Sequence, residues 1–194
     1  MTIDRPIIRQ AQIKDTSDLA FFMNQARYLH RHLDWRSSLE WLGDPLFWIL
    51  EQDGRIHGTF ACPADPPLVA WVRLFASSAH ITPDMAWEQL FAAALSQTSQ
   101  NPNITLAAIS LHDWFERLLV RHGWSVHQHI VTLSWNGIFP PSPRLIPGAT
   151  IRPILPEDLP EITKVDNLAF ESLWQLSLEA LTQAYEQSAS ATLV

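Results

Sequence analysis

One short pattern occurs twice in this chain, and it limits the possible folds more than any other feature. Near the N-terminus the order is Ile8-Arg9-Gln10-Ala11, then Asp15, Asp18 and Leu19; far downstream Ile151-Arg152-Pro153-Ile154 leads, without a gap, to Asp158, Glu161 and Ile162. Both read as a short strand followed by an acidic helix start, where carboxylates favour the positive end of the helix dipole. The next strand recurs in position too, because Ile49-Leu50 falls one residue out of register with Leu193-Val194. Self-similarity of this kind divides a chain into units. Between the two copies lies Asn136-Gly137-Ile138-Phe139-Pro140-Pro141-Ser142-Pro143, with Pro147-Gly148 soon after. Proline blocks both helix and central strand, which favours an extended linker. The expected organisation is a complete domain over 1–135, a Pro-rich linker over 136–149, and over 150–194 the opening part of a second copy that stops before its later half.

Composition narrows the function. Of the 194 residues 47% are hydrophobic, with nine Trp and nine Phe, enough for a sizeable core. The formal net charge of -7 comes without any Lys/Arg cluster, which argues against nucleic-acid or anionic-membrane partners. Cys62 is the only cysteine, so an intrachain disulfide and a Cys-based zinc site are excluded. Met1 to Gln10 lacks the apolar stretch of a signal peptide, and no run approaches the roughly 18 apolar residues of a membrane helix. A cytoplasmic protein is the expectation.

Within 1–135 the elements alternate. Ile7 to Ile13 reads as a strand, and Leu19, Phe22, Met23, Ala26, His30 and Leu33 follow helical spacing. Phe47 to Gln52 and Arg55 to Ala61 flank Asp53-Gly54, a type I′ hairpin signal. Leu68 to Phe75 is apolar almost throughout, as in a central strand. Trp87, Leu90, Phe91, Ala94 and Leu95 form a helical stripe. Ile104 to Leu111 reads as a buried strand, and Phe115, Leu118, Leu119 and His122 as a short helix stopped by Gly123. Val126 to Trp135 closes the series as a strand. The predicted fold class is α/β, a mixed central sheet flanked by helices, followed by the first strand and helices of a second copy.

That order, with these local sequences, resembles the GNAT superfamily of acyl-CoA-dependent N-acyltransferases over residues 5 to 135; residues 150 to 194, including Ala169-Phe170-Glu171-Ser172-Leu173-Trp174, resemble the family's opening elements. The resemblance implies acetyl-CoA or another acyl-CoA as cosubstrate and an amine as acceptor. In the family the cofactor lies where the fourth and fifth strands splay apart, and the fourth strand offers it backbone groups. A Gln/Arg-x-x-Gly-x-Gly/Ala loop then cradles the pyrophosphate at a helix N-terminus. Carried over, this makes the backbones of Leu74, Phe75 and Ala76, with Ala86 at the helix start, the candidate cofactor contacts.

The loop from Ser77 to Ala86 keeps the family's length but not its chemistry. Ile81 stands where Gln or Arg is expected and Asp84 where the first Gly is expected. Pro83 has no N–H to give, and a carboxylate about 4 Å from a phosphate charge repels it by ~1 kcal/mol in water and several-fold more near a protein surface. Leu119 stands at the family's proton-donating tyrosine and cannot donate. His112, after the fifth strand, reads as a polar loop residue. No catalytic residue is assigned. The first copy thus resembles a degenerate acyltransferase domain, serving either the second copy's catalysis or a non-catalytic scaffold role, with a homodimer or the rest of the second domain as candidate partner.

The remaining polar residues carry plainer readings. His30-x-His32 and His127-x-His129 have no carboxylate beside them in sequence to complete a metal site and read as surface or rim histidines; no metal is assigned. Cys62 reads as a buried structural thiol. Asp34, Glu40 and Glu51 read as solvated surface charges. Ile151, Ile162, Val165 and Leu168 are expected to pack on the first domain or on another chain.

Overall fold

The computed structural model describes residues 5–99, 103–134, 147–148, 150–188 and 192–193. Apart from Pro147 and Gly148 the expected linker lies outside these residues, as do Trp135 and Val194. In β1 (Ile7–Gln10), Arg9 reaches across a 3-10 turn (Ile13–Asp15) that leads into α1 (Thr16–Gln25). Its guanidinium donates to both Asp15 oxygens at 2.8 and 3.0 Å, while Asp15 also accepts the Gln12 N–H at 2.8 Å. The Arg9 guanidinium holds the Asp15 carboxyl below the usual carboxylate range. One ion pair therefore fixes the strand-to-helix turn.

Helix α1 buries Leu19, Phe22 and Met23 but ends sooner than the spacing predicts. The backbone turns out at Ala26 (ψ 133°), and Tyr28–Arg31 forms a strand, β2. His30 is accordingly a fully buried strand residue rather than a rim histidine, and Leu33 is exposed. A vacant sheet edge overrides helical periodicity here, because the edge supplies backbone partners that a longer helix would forgo.

The hairpin is as predicted. Asp53 and Gly54 both take positive φ (51° and 69°), joining β3 (Phe47–Gln52) to β4 (Arg55–Ala61). The stretch Leu68 to Phe75, expected as one strand, splits into β5 (Val69–Trp71) and β6 (Leu74–Ser77). The Val72 N–H donates to Ala107 O and the Arg73 N–H to Ala61 O, each at 2.8 Å, so neighbouring residues serve different sheets. The main sheet runs β1-β3-β4-β6-β2, all antiparallel.

Helix α2 (Pro83–Thr98) buries Trp87, Leu90 and Ala94 against one face of this sheet; α1 covers the other. Gly58 lets α2 approach closely, since a Cβ there would lie 3.2 Å from Leu90 Cδ1. Of the predicted strand Ile104 to Leu111 only β7 (Thr105–Ala107) forms, parallel to β5. Then α3 (Asp113–Arg121) ends at Gly123, whose φ of +82° suits glycine. The strand expected from Val126 is absent through Ser134, and these residues are exposed. Without a paired neighbour, strand propensity alone does not make a strand.

The C-terminal segment comprises β8 (Arg152–Pro153), α4 (Leu159–Ala169), α5 (Leu178–Gln187) and β9 (Thr192–Leu193). Arg152 grips Asp158 at 2.6 and 2.7 Å, and Asp158 accepts the Leu155 N–H at 2.9 Å, the geometry of Arg9, Asp15 and Gln12 over again. Antiparallel pairing of Arg152 with Leu193 likewise repeats that of Arg9 with Ile49. Ile151, Val165 and Leu168 stay exposed, whereas Trp174 stacks near Trp71 (5.3 Å between rings) and donates to Gln128 at 3.0 Å. No helix among the described residues is long and apolar enough to cross a membrane.

Candidate functional site

The expected cofactor contacts lie on β6, which has neighbours on both edges. On one side Ala61, Phe60 and Thr59 face Leu74, Phe75 and Ala76; on the other Arg31, His30 and Leu29 face the same three residues. The chain's own strand β2 thus occupies the β6 edge that the resemblance assigns to the cofactor. The His30 ring is fully buried beside Val72, at the break between β5 and β6. Its Nε2 lies 3.1 Å from Val72 O, and its face stacks on Phe115 at 3.8 Å and 14°. Tyr28 packs on Trp114 (5.2 Å) in the same layer.

Burial pushes the His30 imidazole down to about 4, with a contribution from His112, against the raising effect of the Val72 carbonyl. Neutral His30 bonded to that carbonyl carries its proton on Nε2, and Nδ1 has no partner among the described residues. His32 is pushed down to about 3, chiefly by burial and by Arg73.

The start of α2 is also closed. The Thr82 hydroxyl accepts the Met85 N–H at 3.3 Å, Thr82 O accepts the Ala86 N–H at 3.0 Å, and Pro83 has none to offer. Asp84 is gripped by Arg121 at 2.8 and 2.9 Å, with His122 Nε2 3.5 Å away. Arg121 draws the Asp84 carboxyl below its usual range, so the group is an anion at neutral pH. First-turn donors that would hold a phosphate are used internally, beside a fixed negative charge.

The other singled-out residues are scattered. Ala86 is fully buried, Ile81 packs half-buried against the core, and Leu119 is buried. Cys62 is buried, and burial pushes its thiol well up. His112 is exposed at the start of α3; His127 and His129 are exposed and share no strand. Glu40 is exposed and accepts the Ser37 N–H at 2.8 Å, and Glu51 is half-buried beside Arg9 at 2.9 Å. Asp34 is no surface charge. Its side chain is 7% exposed and ion-paired with the equally enclosed Arg73. Sequence reading missed this pair because its members stand 39 residues apart and only folding joins them. Among the described residues no group of three or more His, Cys, Asp or Glu is placed to hold a metal ion.

Beside the Arg73–Asp34 pair lies an open cavity of about 170 Å³ whose lining includes Arg36, Trp71, Ile109, Leu173, Trp174 and Leu176. It was not legible in the sequence, since its walls come from segments over a hundred residues apart.

Compared with solved structures, the chain is similar to the polyamine N-acetyltransferase of Drosophila melanogaster, an enzyme that catalyses the formation of N-acetylagmatine. The TM-score is 0.54 at 11% identity, over 72% of this chain and 95% of that one. It is also similar to an aminoglycoside N-acetyltransferase in complex with CoA, with a TM-score of 0.52 at 12% identity over 69% of this chain and 96% of the other. No family model and no curated protein sequence matches it. The fold is that of N-acetyltransferases.

Proposed function

We propose that this chain is a GNAT-type N-acyltransferase homologue whose first unit, 5–134, does not itself carry acyl transfer but supports a second unit opened by residues 150–193. Transfer from an acyl-CoA to an amine belongs to that second unit. The likeness to two N-acetyltransferases supports the class, and the repeated Arg–Asp clasp supports the duplication.

One observation carries the reading of the first unit: β2 lies on the β6 edge at Leu74, Phe75 and Ala76. A cofactor bound there has to displace a four-residue ladder, at roughly 1 kcal/mol net per hydrogen bond, and to expel the buried His30 ring as well. It would then meet Asp84 instead of free amides at α2. Titration calorimetry with acetyl-CoA is the test. No binding is expected up to about 1 mM cofactor, where even a 1 mM Kd, about -4 kcal/mol, gives measurable heat. Micromolar binding that is lost on altering Ala86 to a bulkier residue contradicts the reading, because it places the cofactor at the first unit.

A further inference from the structure

We propose that two copies of this chain associate by exchanging a strand: residues 126–134 of each copy pair with the open edge of β7 in the other. The contact is independent of acyl transfer and does not involve the β6 edge.

The edge is defined by the ladder on its other side. β7 runs parallel to β5, where the Thr105 N–H donates to Leu68 O and Ala107 O accepts the Val72 N–H, both at 2.8 Å. Backbone groups alternate in direction along a strand, so Ile104, Leu106 and Ala108 turn theirs to the opposite side. No strand among the described residues stands there, since the small sheet consists of β5 and β7 alone. The side chains of Ile104, Leu106 and Ala108 are half-buried against the core around Trp87, which anchors the edge. Edge strands that must stay single are blunted by charges or proline. Residues 104–111 carry neither.

Residues 126–134 are the complement. They include the strand formers Val126, Ile130, Val131 and Thr132 and contain no charge, glycine or proline. Every one of them is exposed, Val131 at 77% and Leu133 at 87%. Their main chain has no hydrogen-bond partner among the described residues. The segment is nevertheless held at its start. Trp124 packs on Trp87 and Phe91 at 5.9 and 5.7 Å, and the Gln128 side chain accepts the Trp174 indole N–H at 3.0 Å.

A single copy therefore leaves a strand edge and a strand former both unpaired. A second copy brings to each what it lacks, and a two-fold axis closes both at once through the same contact made twice. An unrelated partner would close only one of them. The chain has a net charge of -7, yet neither segment carries a charged residue, so the contact brings no like charges together.

Sedimentation equilibrium of the full chain is the first test, and a dimer with a Kd of about 10 μM or below is expected. Ile130→Pro and Val131→Pro are then made separately. Successive strand residues point their N–H groups to opposite sides, so one of the two prolines must delete a ladder donor. That variant is expected to weaken dimerisation at least about tenfold. Both variants should keep the wild-type urea midpoint at concentrations where the chain is a monomer, because both positions are exposed. Hydrogen exchange locates the contact. Protection of the Leu106 amide should rise with protein concentration, while that of Thr105, which already donates to Leu68, should not. A monomer up to about 200 μM overturns the proposal, as does a dimer indifferent to both prolines. Leu106 protection that is equally strong in a monomer also overturns it, because residues 126–134 would then pair with β7 of their own chain.

Discussion

Replacing Trp87 with alanine is expected to lower the unfolding free energy by about 3–5 kcal/mol, read as a shift in urea midpoint. Trp87 is fully buried at the point where α2, the main sheet and α3 meet. Its indole stands edge-on to Phe60 (5.3 Å, 88°) and Phe75 (5.2 Å, 79°), and stacks with Phe91 (5.1 Å, 25°). Phe115 and Trp124 follow at 5.9 Å each, and the His122 ring at 6.2 Å. Removing the ring deletes its contacts to all of these side chains, which cannot close the void together. Trp87→Phe is expected to cost much less. The indole Nε1 has no hydrogen-bond partner among the described residues, so losing it forfeits no bond.

Acidification should be nearly as damaging. Folded His30 titrates at about 4 against an ordinary value of 6.5, because burial disfavours the imidazolium. A base whose folded pKa is depressed binds fewer protons in the native state. Its stability contribution is therefore complete above pH 6.5 and is lost as pH falls toward 4. Between pH 7 and 5 the loss from His30 alone is about 2 kcal/mol, in a window where ordinary carboxylates hardly titrate. Burial also depresses His32, to about 3, and it adds to the same slope. His30→Phe keeps a ring to stack on Phe115 and removes the titrating group. Its urea midpoint should fall distinctly less than the wild type's between pH 7 and 5, whatever its stability at pH 7. Equal slopes would show that His30 is not buried as described.

These two residues mark what the sequence could and could not disclose. Trp87 was legible because helical spacing writes a core face directly into the chain, and α2 lies where its stripe predicts. The Asp53-Gly54 turn was legible because both positions demand positive φ. His30 was misread because Leu19 to Leu33 happens to keep a helical period, while the true end of α1 at Gln25 has no glycine or proline to announce it. Strand β2 depends on an edge of β6 that lies over forty residues downstream. For the same reason the switch of sheets at Val72 and Arg73 was hidden, since both halves of that run are buried and apolar. Val126 to Ser134 failed in the opposite way, with strand composition but no partner. The candidate site was half legible. Pro83 and Asp84 declared a changed phosphate loop, and the structure adds that Arg121 fixes the Asp84 charge in place. Closure of the β6 edge by β2 had no sequence signal, nor did the cavity at Arg36.

Strand β2 holds the edge of β6 at Leu74, Phe75 and Ala76, where the resemblance to acyltransferases would place a cofactor. Amide hydrogen exchange, followed residue by residue with and without acetyl-CoA, tests it most directly. The paired amides of Tyr28–Arg31 and Leu74–Ser77 are expected to exchange slowly, and saturating acetyl-CoA to leave their protection unchanged. Fast exchange across Tyr28–Arg31, or protection there that collapses when acetyl-CoA is added, would contradict it.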